Sequence, residues 1–160
     1  MRNPVQTLRG TSWDAFRRAF PQRPEPLYVR QGVIEAPYEQ VLSLLTTARA
    51  GKASQDNAFL LNPKGVPDGV ELRGGPTRFG VGHGTVDADP ERGLFAIQGG
   101  WWYRGEYTVK PHEKGALLTL RVYNVAADKR VLVPLVQFGM DQAVTDGFDQ
   151  ALADIRAFLG

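Results

Sequence analysis

The chain contains no cysteine. Disulfides, thiolate nucleophiles and zinc sites built on thiolates are therefore excluded, and the absence fits a reducing compartment. Histidine is nearly as scarce: His83 and His112 are the two in 160 residues. They show no His-Glu-x-x-His or His-x-His spacing, and Asp87 and Asp89 do not complete a ligand set, so no metal is expected. Ser12, Ser43 and Ser54 stand in no Gly-x-Ser-x-Gly context, which leaves nucleophilic catalysis without support. No stretch approaches the roughly 20 apolar residues that span a bilayer. The first residues, MRNPVQTLRGTSWDAFRR, lack an apolar run of signal-peptide type. The expectation is a soluble, cytoplasmic protein. An excess of one charge is missing too: 19 Lys+Arg against 17 Asp+Glu leave a net charge of +2. The basic residues are scattered rather than gathered on one face, so a nucleic-acid partner is not expected. No internal repeat or low-complexity tract is visible.

What is present is a globular composition, 42% hydrophobic and 22% charged, in a length that fits one domain. Its most patterned stretch is WWYRGEYTVKPHEKGALLTLRVYNV, residues 101–125. It alternates residue by residue, bends at a Pro/Gly turn, and alternates again, which is two antiparallel strands with chemically different faces. Trp101, Tyr103, Tyr107 and Val109 share one side, as do Leu118, Leu120, Val122 and Asn124, and these sides are expected to be dry. Arg104, Glu106 and Arg121 fall on the other, as solvated cross-strand pairs. Further strands are expected near 70–74, 77–87 and 93–98, separated by Gly74-Gly75-Pro76, by the 89–93 turn and by Gly99-Gly100. Short connections argue an antiparallel meander.

Before the meander, residues 27–34 read as a strand with Leu27, Val29, Gln31 and Val33 on one face and Tyr28, Arg30, Gly32 and Ile34 on the other. Ala36-Pro37 opens a helix at the turn where proline's missing N–H costs nothing. Residues 48–69 read as loop with one more short helix near 55–61. At the C-terminus Val144, Phe148, Leu152, Ile155 and Leu159 recur at three- and four-residue steps, one apolar stripe of a long helix. Residues 1–26 form an extension: a short helix over 11–20 carrying Trp13, Phe16 and Phe20 on one side, then the linker PQRPEP. It docks on the main body, or serves as a lid or a dimer contact.

The order strand, helix, antiparallel meander, long terminal helix resembles the START-like (SRPBCC, helix-grip) superfamily, which includes polyketide cyclases and lipid-transfer domains. VIEAPYEQVLSLL (33–45) is similar to its first strand running into a helix. YTVKPHEKGALLTLRVYNV (107–125) is similar to its paired late strands. The resemblance implies an α+β fold over 27–160, an antiparallel curved sheet wrapped around the C-terminal helix, with a cavity between them. It also implies a hydrophobic small-molecule partner such as a lipid or polyketide. The chain departs from the pattern in its extension and in having five strands after the helices where six are usual; the sixth lies in 58–62 or is absent.

Candidate contacts for such a ligand are Gln31, Gly82, His83, Trp101, Tyr103, Tyr107, Asn124 and Phe148. Gly80, Gly82 and Gly84 read as one bare side of a bent strand, and their spacing does not make a dinucleotide fingerprint; no cofactor is expected. Gln31 and Asn124 are the polar members of otherwise apolar faces. His83, read as sharing its strand face with Phe79, Val81 and Thr85, is the residue able to move protons near neutrality. Three readings stay open: a ligand-binding domain without assigned catalysis, a cyclase/aromatase-type enzyme using His83 with Tyr103 or Tyr107, and an interaction module, homodimer included, using the N-terminal aromatic helix.

Overall fold

The computed structural model describes residues 25–126 and 139–160. The expected helix over 11–20 lies outside these described residues. Within them the elements are β1 (Tyr28–Ile34), α1 (Tyr38–Thr46), β2 (Gly51–Lys52), a 3-10 turn (Phe59–Leu61), β3 (Glu71–Gly74), β4 (Arg78–Val81), β5 (Gly84–Asp89), β6 (Leu94–Gln98), β7 (Tyr103–His112), β8 (Gly115–Asn124) and α2 (Met140–Leu159). The strands form one eight-stranded sheet in the order β1-β8-β7-β6-β5-β4-β3-β2. Every pairing in it is antiparallel.

Alternation along the strands sorts the sheet into two faces. Phe79, Val86, Ala88, Phe95, Val109, Leu118, Leu120 and Val122 point inward and belong to one core cluster with Val41 and Leu45 of α1 and Val144, Phe148, Leu152 and Ile155 of α2. Both helices thus cover the same face, and the sheet curls around them. The C-terminal stripe is read correctly; Ala151 joins it as a buried residue and Leu159 is half-buried. Fully burying such side chains contributes roughly 1.5–3 kcal/mol each, so α2 is a structural partner of the sheet. Asp141 in its first turn and Arg156 in its last suit the helix dipole.

The strand expected over 77–87 is two strands. Gly82 and His83 form a tight turn between β4 and β5, with Val81 paired to Gly84. Gly82 adopts φ +55, and a glycine at the first position of a two-residue hairpin turn makes that conformation cheap. Six strands therefore follow α1 beyond the two-residue β2. The segment 58–62 supplies none of them. The helix expected near 55–61 is reduced to the 3-10 turn at Phe59–Leu61. Two buried asparagines organise this loop instead. Asn57 Nδ2 donates to the carbonyls of Arg49 and Lys52, and Asn62 Nδ2 to those of Ala53 and Val66. Each buried amide is thereby matched to the backbone, without which it would cost about 1–3 kcal/mol.

The faces of β1 resolve against the sequence reading for Gln31. Tyr28, Arg30, Gly32 and Ile34 stand opposite Val122, Leu120, Leu118 and Ala116 of β8, on the inner face. Gln31 is on the outer face and exposed, where its Nε2 donates to Thr119 Oγ1 at 3.3 Å. The charged residues of β7 also differ from the solvated pairs expected. Arg104 Nη1 donates to Asp87 Oδ2 at 2.9 Å and Nε to Glu106 Oε1 at 2.8 Å. The side chains of Arg104 and Glu106 are 13% and 8% exposed. Arg121 contacts Thr108 Oγ1 at 3.4 Å rather than pairing with an acid.

Candidate functional site

On the inner face β7 and β8 pass beneath the first half of α2. Tyr103, Gly105, Tyr107 and Val109 alternate inward along β7. At Gly105 an added Cβ would lie 2.6 Å from the Tyr103 hydroxyl oxygen, so the absence of a side chain lets the Tyr103 phenol lie back along the strand. Trp102 closes the same end, edge-on to Tyr103 with ring centroids 5.6 Å apart. On the helix side Phe148 stacks on Tyr107, centroids 6.5 Å apart and planes 17° from parallel. Beside that pair α2 offers the small residues Ala143 and Gly147.

The result is a half-open cleft of about 170 Å³ lined by Tyr103, Tyr107, Leu120, Met140, Ala143, Val144, Gly147 and Phe148, with Ala143 and Gly147 exposed at its mouth. Its volume is comparable with the ~150 Å³ that one benzene ring occupies in an apolar cavity. Larger clefts lie elsewhere and are differently built. One of about 450 Å³ follows Val33–Ala36 and the end of α2, and there Arg156 already donates to the Val33 carbonyl at 2.6 Å. Another, of about 550 Å³, is a surface groove between α1 and Phe158. Neither lies between the sheet and the buried face of α2.

The polar groups of the cavity are the two phenols. No group among the described residues hydrogen-bonds either hydroxyl. Burial pushes the Tyr103 phenol up from its ordinary value. Burial, with Tyr103 adding to it, pushes Tyr107 up to about 12. Both therefore stay protonated at physiological pH and act as donors or neutral acceptors. A half-buried hydroxyl without a protein partner is satisfied by water or by a bound polar group.

Of the residues singled out in the sequence, the structure brings Tyr103, Tyr107 and Phe148 together. Asn124 stands opposite Tyr103 at the strand end and accepts a hydrogen bond from the Ala126 amide at 3.0 Å. Trp101 precedes β7 in a bend, and it is Trp102 that packs against the core cluster. Gly82 and His83 sit in the exposed β4–β5 turn, and Gln31 on the outer face, so none of the three lines the cavity. Sequence reading missed Leu120 as a lining residue and, on the helix, Met140, Ala143, Val144 and Gly147. The four-residue step from Ala143 to Gly147, on a helix whose neighbouring stripe is bulky, was the available signal. Among the described residues no group of three or more His, Asp or Glu could hold a metal ion, and no helix is long and apolar enough to cross a membrane.

An antiparallel sheet of this order curled around a C-terminal helix is a helix-grip architecture. No protein-family profile matches the sequence, and no curated protein matches it. Among solved structures the chain is similar to TTHA0849 of Thermus thermophilus, at 17% identity and TM-score 0.43, over 86% of this chain and 100% of that one. It is also similar to the Polyketide_cyc-like protein Cgl2372 of Corynebacterium glutamicum, at 22% identity and TM-score 0.35, over 84% of this chain and 86% of that one. Both superpositions are loose, and the fold assignment stands on the strand order and register above.

Proposed function

We propose that this protein binds a small hydrophobic molecule, a lipid, a polyketide or a related ring compound, between the sheet and the first half of α2. The observation that carries the reading is the pair of phenols, Tyr103 and Tyr107, lining a mostly apolar cleft with no hydrogen-bond partner among the described residues. Ligand sites are built this way: apolar walls for affinity, a few polar groups for orientation. The ligand that fits presents one ring or acyl segment to Leu120, Val144 and Phe148 and a hydrogen-bonding oxygen to the phenols. The cyclase-type alternative loses support from the placement of His83 in an exposed turn, and the two neutral tyrosines are poor bases.

Native mass spectrometry of the full chain tests this, alongside thermal shifts with phenol and hexanoic acid as probes. The expected result is a co-purifying mass released by organic extraction, or a probe-induced rise in Tm that Tyr103→Phe combined with Tyr107→Phe reduces. A uniformly empty protein whose Tm neither probe moves would overturn the proposal.

A further inference from the structure

The side-chain hydrogen-bonding groups that line the cleft under α2 are the two phenols. Leu120, Ala143, Val144, Gly147 and Phe148 bring no polar side-chain atom, and Met140 brings a thioether, a weak acceptor. Tyr103 and Tyr107 are placed to work together. They stand on one face of β7 with Gly105 between them, and the Tyr103 phenol lies back over Gly105. A Cβ at position 105 would lie 2.6 Å from its hydroxyl oxygen. The rings are close enough for Tyr103 to add to the effect of burial on the Tyr107 phenol. Neither hydroxyl has a hydrogen-bond partner among the described residues, and at neutral pH each keeps its proton. The cleft therefore offers two donors and no matching acceptor.

The nearest charges are already engaged. Arg30 stands opposite Leu120 on β1. Its Nε donates to Thr145 Oγ1, its Nη1 to the Val29 carbonyl and its Nη2 to Asp141 Oδ1. Asp141 in turn meets the positive end of α2. An anionic ligand would enter the cleft without a counter-ion, which is costly for a group withdrawn from water. An alcohol or amine brings a proton of its own, for which the cleft holds phenol oxygens and a thioether. A carbonyl oxygen has two lone pairs and no proton, so it accepts from both phenols at once.

We infer that the cleft selects a neutral carbonyl compound with one ring beside the carbonyl, an aryl ketone or a ring enone, with Tyr103 and Tyr107 donating to the same oxygen. The inference rests on the ligand-binding reading above and narrows it. The apolar walls hold the ring, and the paired donors choose the functional group. A free fatty acid or a simple alcohol presents the wrong one.

Three flat probes of one shape separate these chemistries: acetophenone, α-methylstyrene with a methylene in place of the carbonyl oxygen, and benzoate with a negative charge. Titrated against the full chain, acetophenone is expected to bind most tightly. Its advantage over α-methylstyrene should be roughly 2- to 12-fold for each hydrogen bond. Its carbonyl stretch in the infrared should fall below the frequency in an apolar solvent. Tyr103→Phe and Tyr107→Phe should each remove part of that displacement and the double variant all of it, with α-methylstyrene affinity unchanged. The ranking of the probes on the unaltered protein requires no variant to fold. α-Methylstyrene or benzoate binding as tightly as acetophenone, or a bound carbonyl at its apolar-solvent frequency, would overturn the inference and leave ring binding in the cleft intact. Binding of none of the three would sink the ligand-binding reading and this inference with it.

Discussion

Leu152 of α2 occupies the space that a side chain at position 32 of β1 would need. A Cβ on Gly32 would lie 2.5 Å from Leu152 Cδ1 and 3.0 Å from Cδ2. The helix is pressed to the sheet at this point, and about one turn earlier Phe148 stacks on Tyr107. Arg30 secures the loose end: its Nε donates to Thr145 Oγ1 at 3.1 Å and its Nη2 to Asp141 Oδ1 at 2.6 Å.

Gly32→Ala is expected to force the Leu152 head group out of place and destabilise the protein by about 1–3 kcal/mol, the usual cost of overpacking. Combining it with Leu152→Ala should recover part of the loss, because the two positions share one volume. Denaturant midpoints of the two single variants and the double variant measure the coupling.

Gly147→Leu separates stability from binding. A Cβ at this position meets nothing within 4 Å, so the backbone accepts a side chain. Replacing a glycine inside a helix gains up to about 1 kcal/mol, while the new side chain stands at the mouth of the cleft that Gly147 lines. The expected outcome is an equal or higher Tm together with loss of the phenol-induced thermal shift.

The Tyr107 phenol, raised to about 12, makes stability fall at alkaline pH. The unfolded chain gives up this proton near pH ~10 and the folded one about two units later, so the unfolded state binds fewer protons between them. The contribution is fully present below pH ~10 and declines by roughly 2–3 kcal/mol as pH rises through the folded value. Tyr107→Phe should flatten this decline in denaturant midpoints collected across that range, and remove one late-titrating phenolate from the absorbance curve.

Asp87 works in the opposite direction. The hydrogen bond from Arg78, then those from Arg104, hold its carboxyl below the usual range against the effect of burial. The folded state therefore binds fewer protons than the unfolded one, and this stabilisation, present above pH ~4, disappears as pH falls through the folded value. Asp87→Asn is expected to cost about 1–3 kcal/mol near neutrality, since Arg104 retains Glu106 and Gln98. It should also shallow the acid limb of a stability profile obtained by urea unfolding.

Much of this was legible where a period repeats long enough. The α2 stripe and the inner faces of β7 and β8 follow directly from spacings of 3.6 and 2. The β4–β5 hairpin was missed because a two-residue turn hides inside RFGVGHGTV, whose three glycines mimic one alternating strand. The overlooked signal was parity: Phe79 and Val81 are the apolar residues before the turn, Val86 and Ala88 after it, and that shift from odd to even requires a reversal of the chain between them. Gln31 was misplaced because both faces of β1 carry apolar residues, and periodicity cannot say which of two such faces a helix will cover.

Taken alone, the sequence determined β1, α1, the long β7–β8 pair and α2, that the connections are short and antiparallel, and that the last helix has one side to bury. These are local consequences of side-chain period and turn chemistry. Only the tertiary structure decided that α2 lies against Gly32 and leaves Gly147 exposed at the mouth of a cleft, that Tyr103 and Tyr107 share this cleft while His83 does not, and that Arg104 is withdrawn from water. Such outcomes depend on distances between residues far apart in the chain. They are set by packing across the sheet, which no local pattern records.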